Sequence, residues 1–77
     1  MPITPDQVID CVGLVCPMPV LRIKQAIDAL DVGRVLQMTA TDTAAPADVK
    51  AWTDMTGHEL LESEESGRKF IFLMRKN

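Results

Sequence analysis

Apolar and polar positions change period several times along the 77-residue chain, and each change marks an element. In "QVIDCV", residues 7–12, they alternate, which predicts a strand with Ile9 and Cys11 on one face. Gly13 ends it. From Val20 the spacing becomes helical. Ile23, Ala26, Ile27 and Leu30 form an apolar stripe, with Arg22, Lys24, Gln25 and Asp28 opposite. Leu21 falls off the stripe and is expected to meet a neighbouring helix or a partner. Gly33 suits a helix stop.

Alternation returns in "RVLQMTAT", residues 34–41, with Leu36, Met38 and Ala40 on one face. "DTAAPADVKAWTDMTGHE" predicts a second helix. Thr43 is its candidate cap, Pro46 is tolerated in its first turn, and Gly57 closes it. Val49, Trp52 and Thr56 share a face, which makes Trp52 the expected anchor on the core. "HELLES" predicts a short strand, the run "ESEES" a solvated acidic turn or else a docking surface, and "ESGR" a turn with Gly67 at positive φ. In "KFIFLMRK", Phe70, Phe72 and Met74 alternate with Ile71 and Leu73, so the last strand is expected to be covered on both faces over part of its length. The order β-α-β-α-β-β predicts an α+β two-layer sandwich. It has a mixed four-stranded sheet, a closing antiparallel hairpin and both helices on one face. Strand order does not follow from the pattern.

Composition narrows what such a domain can do. At 77 residues it is one domain, 1–77, with a core worth only a few kcal/mol net. Eight basic against eleven acidic residues give a net charge of −3, which disfavours nucleic acid as the main partner. The N-terminal "MPITPDQVID" lacks a basic region followed by an apolar run, and no stretch is long and apolar enough to span a membrane. The expected place is therefore the cytoplasm, with no membrane partner. Two cysteines make neither a disulfide framework nor a zinc site. A reducing compartment leaves reactive, catalytic or metal-binding thiols as the alternatives to a structural one.

Both cysteines lie in "DCVGLVCPMPVLR", Asp10 to Arg22. Pro17 or Pro19 starts the first helix. The second register is favoured, because Met18, standing before a proline, avoids the helical region. In either register Cys16 is held extended by Pro17, with its sulfur near the positive helix end. That position lowers a thiol pKa. The effect is expected to be weak, since Pro17 and Pro19 carry no N–H to aim at an anion. Arg22 and Lys24 add positive charge one turn on. The alternative for Cys16 is a buried structural cysteine. Cys11 reads as a small core residue, or as a thiol that resolves an intermediate on Cys16; its C-x-x-x-x-C spacing is not the C-x-x-C of redox sites. His58 reads as a turn residue, and Asp42 and Asp48 as charges favouring the start of the second helix. No phosphate loop, Ser–His–Asp set or acid/base pair is visible.

The run Asp10 to Lys24, with Cys-Pro-x-Pro at its centre, Gly-Leu before it and Leu-Arg-x-Lys after it, resembles the signature of the TusA (SirA-like) sulfur carrier family. The similarity extends through "VGRVLQMTATD", "DVKAWTDMTGHELL" and "GRKFIFLMRK". The resemblance implies a sandwich similar to the C-terminal domain of bacterial translation initiation factor 3. It implies that Cys16 carries sulfur as a persulfide, with Gly13, Pro17 and Pro19 as supporting motif residues and no cofactor or metal. It further implies a cysteine desulfurase or rhodanese as donor and a TusBCD- or DsrEFH-type relay protein as acceptor. The destinations of the sulfur are tRNA thiolation, molybdenum cofactor enzymes or sulfur oxidation. Cys11 departs from members with a small non-thiol residue there. Met18, Leu21, Arg22 and Lys24, around the expected exit of the sulfur, are the candidate docking residues of what is expected to be a monomer. Two other readings compete: a thiol–disulfide redox or regulatory module using Cys11 and Cys16, and, on fold similarity alone, a nucleic-acid-binding domain.

Overall fold

The alternating segments pair into one sheet in the computed structural model, which describes residues 4–77. The expectation of no leader segment rests in part on residues 1–3, outside the described residues. Among the described residues the elements are β1 (Gln7–Cys11), α1 (Met18–Asp28), β2 (Val35–Ala40), α2 (Ala45–Thr56), β3 (Glu59–Ser66) and β4 (Lys69–Arg75). The sheet order is β1-β2-β4-β3. β1 runs parallel to β2, with Cys11 opposite Ala40, while β4 is antiparallel to both β2 and β3. This is the mixed sheet the element order implies, since only the crossover through α1 joins parallel neighbours.

Register explains where the core sits. Met38 lies opposite Phe72 and Leu36 opposite Met74, so all four side chains share one face of the two central strands. That face is closed by Ile23 and Ile27 of α1 and by Ala45 and Val49 of α2, with Cys11 at the β1 margin. Both helices thus pack on one side. Burying a side chain such as Phe72 stabilises the fold by about 2–3 kcal/mol against leaving it in water. On β4, Phe72, Leu73 and Met74 are all buried, as the double-sided pattern predicts. Leu73 belongs to the other face, between Gln37 and Glu62 in register.

Several local expectations need correction. α1 begins at Met18, with Pro17 as its N-cap residue and Pro19 in its first turn, so it starts one residue before the favoured register. Met18 takes helical backbone although it stands before a proline, and Pro19 is buried in that first turn. At its other end α1 stops at Asp28, and Gly33 lies in the turn beyond, its N–H bonded to the Lys76 carbonyl. Thr43 does not cap α2. Ala44 occupies the N-cap without a side-chain bond, and Asp42 accepts from the Ala44 N–H at 3.2 Å. The anchor of α2 is not Trp52. Ala45, Val49 and Thr53 are its buried residues, one turn apart from each other, and Trp52 only flanks the core. Thr53 is tolerated there because its hydroxyl donates to the Val49 and Lys50 carbonyls. Thr56 is exposed.

The acidic run is not a turn. Residues 62–66 continue β3, an edge strand that pairs only with β4 and carries a bulge between Leu60 and Glu62. Its exposed glutamates make an edge that discourages pairing with other chains. Gly67, with φ +62, makes the tight turn to β4 as expected. His58 sits against the Trp52 ring at 5.4 Å and accepts from the Asn77 N–H, a packing role at the exit of α2.

Candidate functional site

Parallel pairing of β1 and β2 brings their C-terminal ends to the same edge of the sheet, and the site is built there. Opposite Cys11 and Ala40 the sheet ends, and the loops that follow meet. Gly13, at φ +83, turns the chain off β1 in a conformation that suits glycine, and its N–H donates to Thr41 Oγ1 at 2.9 Å. Three residues on, the Cys16 N–H donates to Asp42 Oδ2 at 2.8 Å. Asp10 accepts from the Val12 N–H at 2.9 Å and tightens the same turn from its near side. The loop that carries the cysteine is therefore fastened along its length by side chains from β1 and from the β2–α2 connection.

Cys16 is exposed and Cys11 is buried, with 1 % of its surface accessible, and both are free thiols. Cys16 sits in a turn closed by the Met18 N–H on the Val15 carbonyl at 2.9 Å, and the Cys16–Pro17 peptide is cis. Pro19 is buried while Pro17 is exposed, so the two prolines have different tasks. Pro19 is covered at the start of α1, and Pro17 is open to solvent in the turn that carries Cys16.

The expectation that the helix end lowers the Cys16 pKa is wrong in sign. The Asp48 carboxylate, interacting with the thiol, raises it; partial desolvation and the charges of Asp48 and Asp42 add in the same direction. The physical reason lies in which groups face the sulfur. The Met18 N–H is already bonded and Pro19 has none, so little of the helix's positive end is available. Arg22 and Lys24 do not offset the carboxylates. Arg22 acts instead on Cys11, where burial raises the thiol pKa and the guanidinium partly lowers it. Lys24 is tied to Asp28 at 2.7 Å on the flank of α1.

Among the candidate docking residues, Met18, Leu21 and Arg22 follow one another at helical spacing on the outward stripe of α1. Met18 and Leu21 are 40 % and 45 % exposed. Val12 and Val15 are also exposed, so apolar side chains flank Cys16 in sequence on both sides. Scattered exposed apolar residues are ordinary, but this set is concentrated on the loop and helix start that carry the free thiol. The described residues form no pocket and no cluster of three or more metal-ligating side chains. No helix of the described residues is long and apolar enough to cross a membrane.

Asp42, Asp48 and Thr41 are the site residues that the sequence reading missed. Parallel β1 and β2 would have found them, because the residues just after two neighbouring parallel strands share one edge.

The exposed thiol on this fastened turn is open to approach by another protein. Residues 7–76 match the family model described as sulfurtransferase TusA. A sulfur carrier protein TusA of Allochromatium vinosum is 46 % identical over 72 residues, covering 94 % of this chain and 95 % of the relative. A putative sulfur carrier protein, YrkI, of Bacillus subtilis is 42 % identical over 71 residues, covering 92 % and 95 %. The crystal structure of a SirA-like protein from Desulfitobacterium hafniense shares the fold at 22 % identity, with a TM-score of 0.78 over 90 % of this chain and 95 % of that one. From the fold, the exposed thiol and these relatives together, the chain belongs to the TusA family of sulfur carriers.

Proposed function

We propose that Cys16 is the catalytic residue, accepting sulfane sulfur as a persulfide and handing it to a downstream protein. The observation that carries this reading is the contrast in exposure between two free thiols five residues apart. In the loading step Cys16 Sγ attacks the outer sulfur of a donor persulfide. The S–S bond of the donor breaks, a new S–S bond forms on Cys16, and the donor leaves as a thiolate that takes up the proton lost by Cys16. No external oxidant is needed. Release repeats the step with Cys16 as the leaving group; loading favours a less acidic, more nucleophilic thiol and release a more acidic one, so an intermediate acidity serves the two steps together.

The donor is a cysteine desulfurase or a rhodanese, and the acceptor a relay protein of the TusBCD or DsrEFH type. The sulfur goes on to tRNA thiolation or to sulfur oxidation, and the protein works as a monomer in the cytoplasm. Met18, Leu21 and Arg22 meet the partner as the sulfur enters its pocket. Lys24, at the side and paired with Asp28, contributes charge rather than contact. Gly13, Pro17 and Pro19 shape the loop. The competing redox reading needs Cys11 to reach Cys16, and burial of Cys11 in the core weighs against it.

Incubation with a desulfurase and cysteine, or with a rhodanese and thiosulfate, followed by intact mass, tests the reading. A gain of one or more sulfur atoms, reversed by dithiothreitol and absent in Cys16→Ser, is expected. No gain with any donor would falsify it.

A further inference from the structure

The bond between Asp42 and Cys16 joins two loops that are 26 residues apart in sequence, and it lands on the backbone of the very residue that carries the exposed thiol. Asp42 divides its carboxylate between them. Oδ2 accepts from the Cys16 N–H at 2.8 Å, and Oδ1 accepts from the Ala44 N–H at 3.2 Å, just before α2. A carboxylate is an economical clasp here, since its two oxygens can accept from two amides at once. Neutral threonine makes the companion bond at Gly13, so fastening the loop does not by itself require a charge.

We propose that Asp42 is a positioning residue for sulfur transfer: it sets the Cys16 turn against the start of α2 and, with Asp48, keeps a negative flank beside the sulfur. This rests on the reading of Cys16 as the sulfur-bearing residue. The charged groups that act on Sγ are Asp48 and Asp42, both from the β2–α2 side; Arg22 of α1 acts on Cys11.

The flank treats the empty and loaded forms differently. In the empty form, the charge on the thiolate is Sγ itself, beside the carboxylates, so the thiol keeps its proton. In the loaded form the terminal sulfur lies one S–S bond, about 2 Å, further out. Repulsion falls with distance and with solvation, so the loaded form ionises with less opposition. The empty carrier is thereby kept from adventitious alkylation and disulfide formation, and it gives up its proton when a donor's leaving thiolate is there to receive it.

The test measures the rate of iodoacetamide alkylation at Cys16 against pH, read by mass on the Cys16 peptide, in wild type, Asp42→Asn, Asp42→Ala and Asp48→Asn. Asp42→Asn removes the charge and keeps one acceptor oxygen. Its rate midpoint is expected to move to lower pH, by less than in Asp48→Asn, since Asp48 is the larger cause of the raised thiol pKa. Asp48→Asn is expected to move the midpoint in the same direction. Asp42→Ala adds faster hydrogen exchange at the Cys16 amide; if it does not fold, Asp42→Asn still decides. An unmoved midpoint in Asp42→Asn, in a wild type that takes up sulfur, overturns the role of Asp42 and leaves the carrier reading intact. A moved midpoint in a wild type that takes up no sulfur from any donor overturns the carrier reading, and with it the transfer role.

Discussion

Cys11 ends a strand and Cys16 sits in the turn that follows it, and five residues separate two opposite fates. Cys11 closes the margin of the core beside β2, and its thiol pKa is raised first of all by burial. Cys16 is in solvent, and its thiol pKa is raised first of all by Asp48. One shift comes from the absence of water and the other from the presence of carboxylates. A raised thiol pKa therefore does not mark a residue as inert. What separates the two is whether a partner can reach the sulfur and take its proton.

The contrast can be broken in several places. Native protein treated with iodoacetamide should be modified at Cys16 while Cys11 is protected by a factor of about 10³ or more, if only global opening, near 5 kcal/mol, exposes it. Comparable rates at the two thiols by peptide mass would show a second accessible thiol and revive the redox reading. Cys11→Asp places an unpaired carboxylate in the core and should cost about 3 kcal/mol or more, a fall in Tm of roughly 12 °C or more. Cys16→Ser, at the surface, should stay within about 0.5 kcal/mol. Calorimetry that finds the two variants alike would contradict the placement of Cys11.

Leu21→Glu puts a charge on the outward stripe of α1 without touching the core. Sulfur transfer to or from a partner protein should slow about tenfold, equivalent to about 1.4 kcal/mol, at unchanged Tm. Unchanged transfer kinetics would move the docking surface elsewhere. The smallest effect is on alkaline stability. A buried thiol whose folded pKa is raised binds its proton more tightly in the folded than in the unfolded state, so stability falls as pH rises past the unfolded thiol pKa of about 8.5. Cys11→Ala lacks this linkage, and its stability should decline less steeply above that pH in urea titrations. Parallel curves for the two proteins would remove burial as the cause of the shift.

Much of this was readable in the sequence, and the exceptions share a cause. Alternation at Leu36, Met38 and Ala40, and at Phe72 and Met74, places the core because register turns period into a face. Helical spacing at Ile23 and Ile27 does the same for α1, and Leu21, off that stripe, is exposed as its position implies. The errors arise where two segments distant in sequence meet. Trp52 loses the anchoring role to Ala45, Val49 and Thr53, which are buried while Trp52 only flanks the core. The sign of the Cys16 shift fails for the same reason. Local reasoning sees the helix start and Arg22, whereas the deciding charges come from Asp42 and Asp48 across a sheet edge that only the parallel pairing of β1 and β2 creates. The acidic run 62–66 misleads differently: an edge strand exposed on both faces and free along one side can be wholly polar and still pair with β4.

The most direct test of the central claim places the sulfur. Wild-type protein loaded by a desulfurase or a rhodanese, trapped with iodoacetamide and digested, should yield a Cys16 peptide carrying one extra sulfur between Sγ and the alkyl group. The Cys11 peptide should carry none. Extra sulfur on Cys11, or a disulfide between the two in place of a trapped persulfide, would contradict the account.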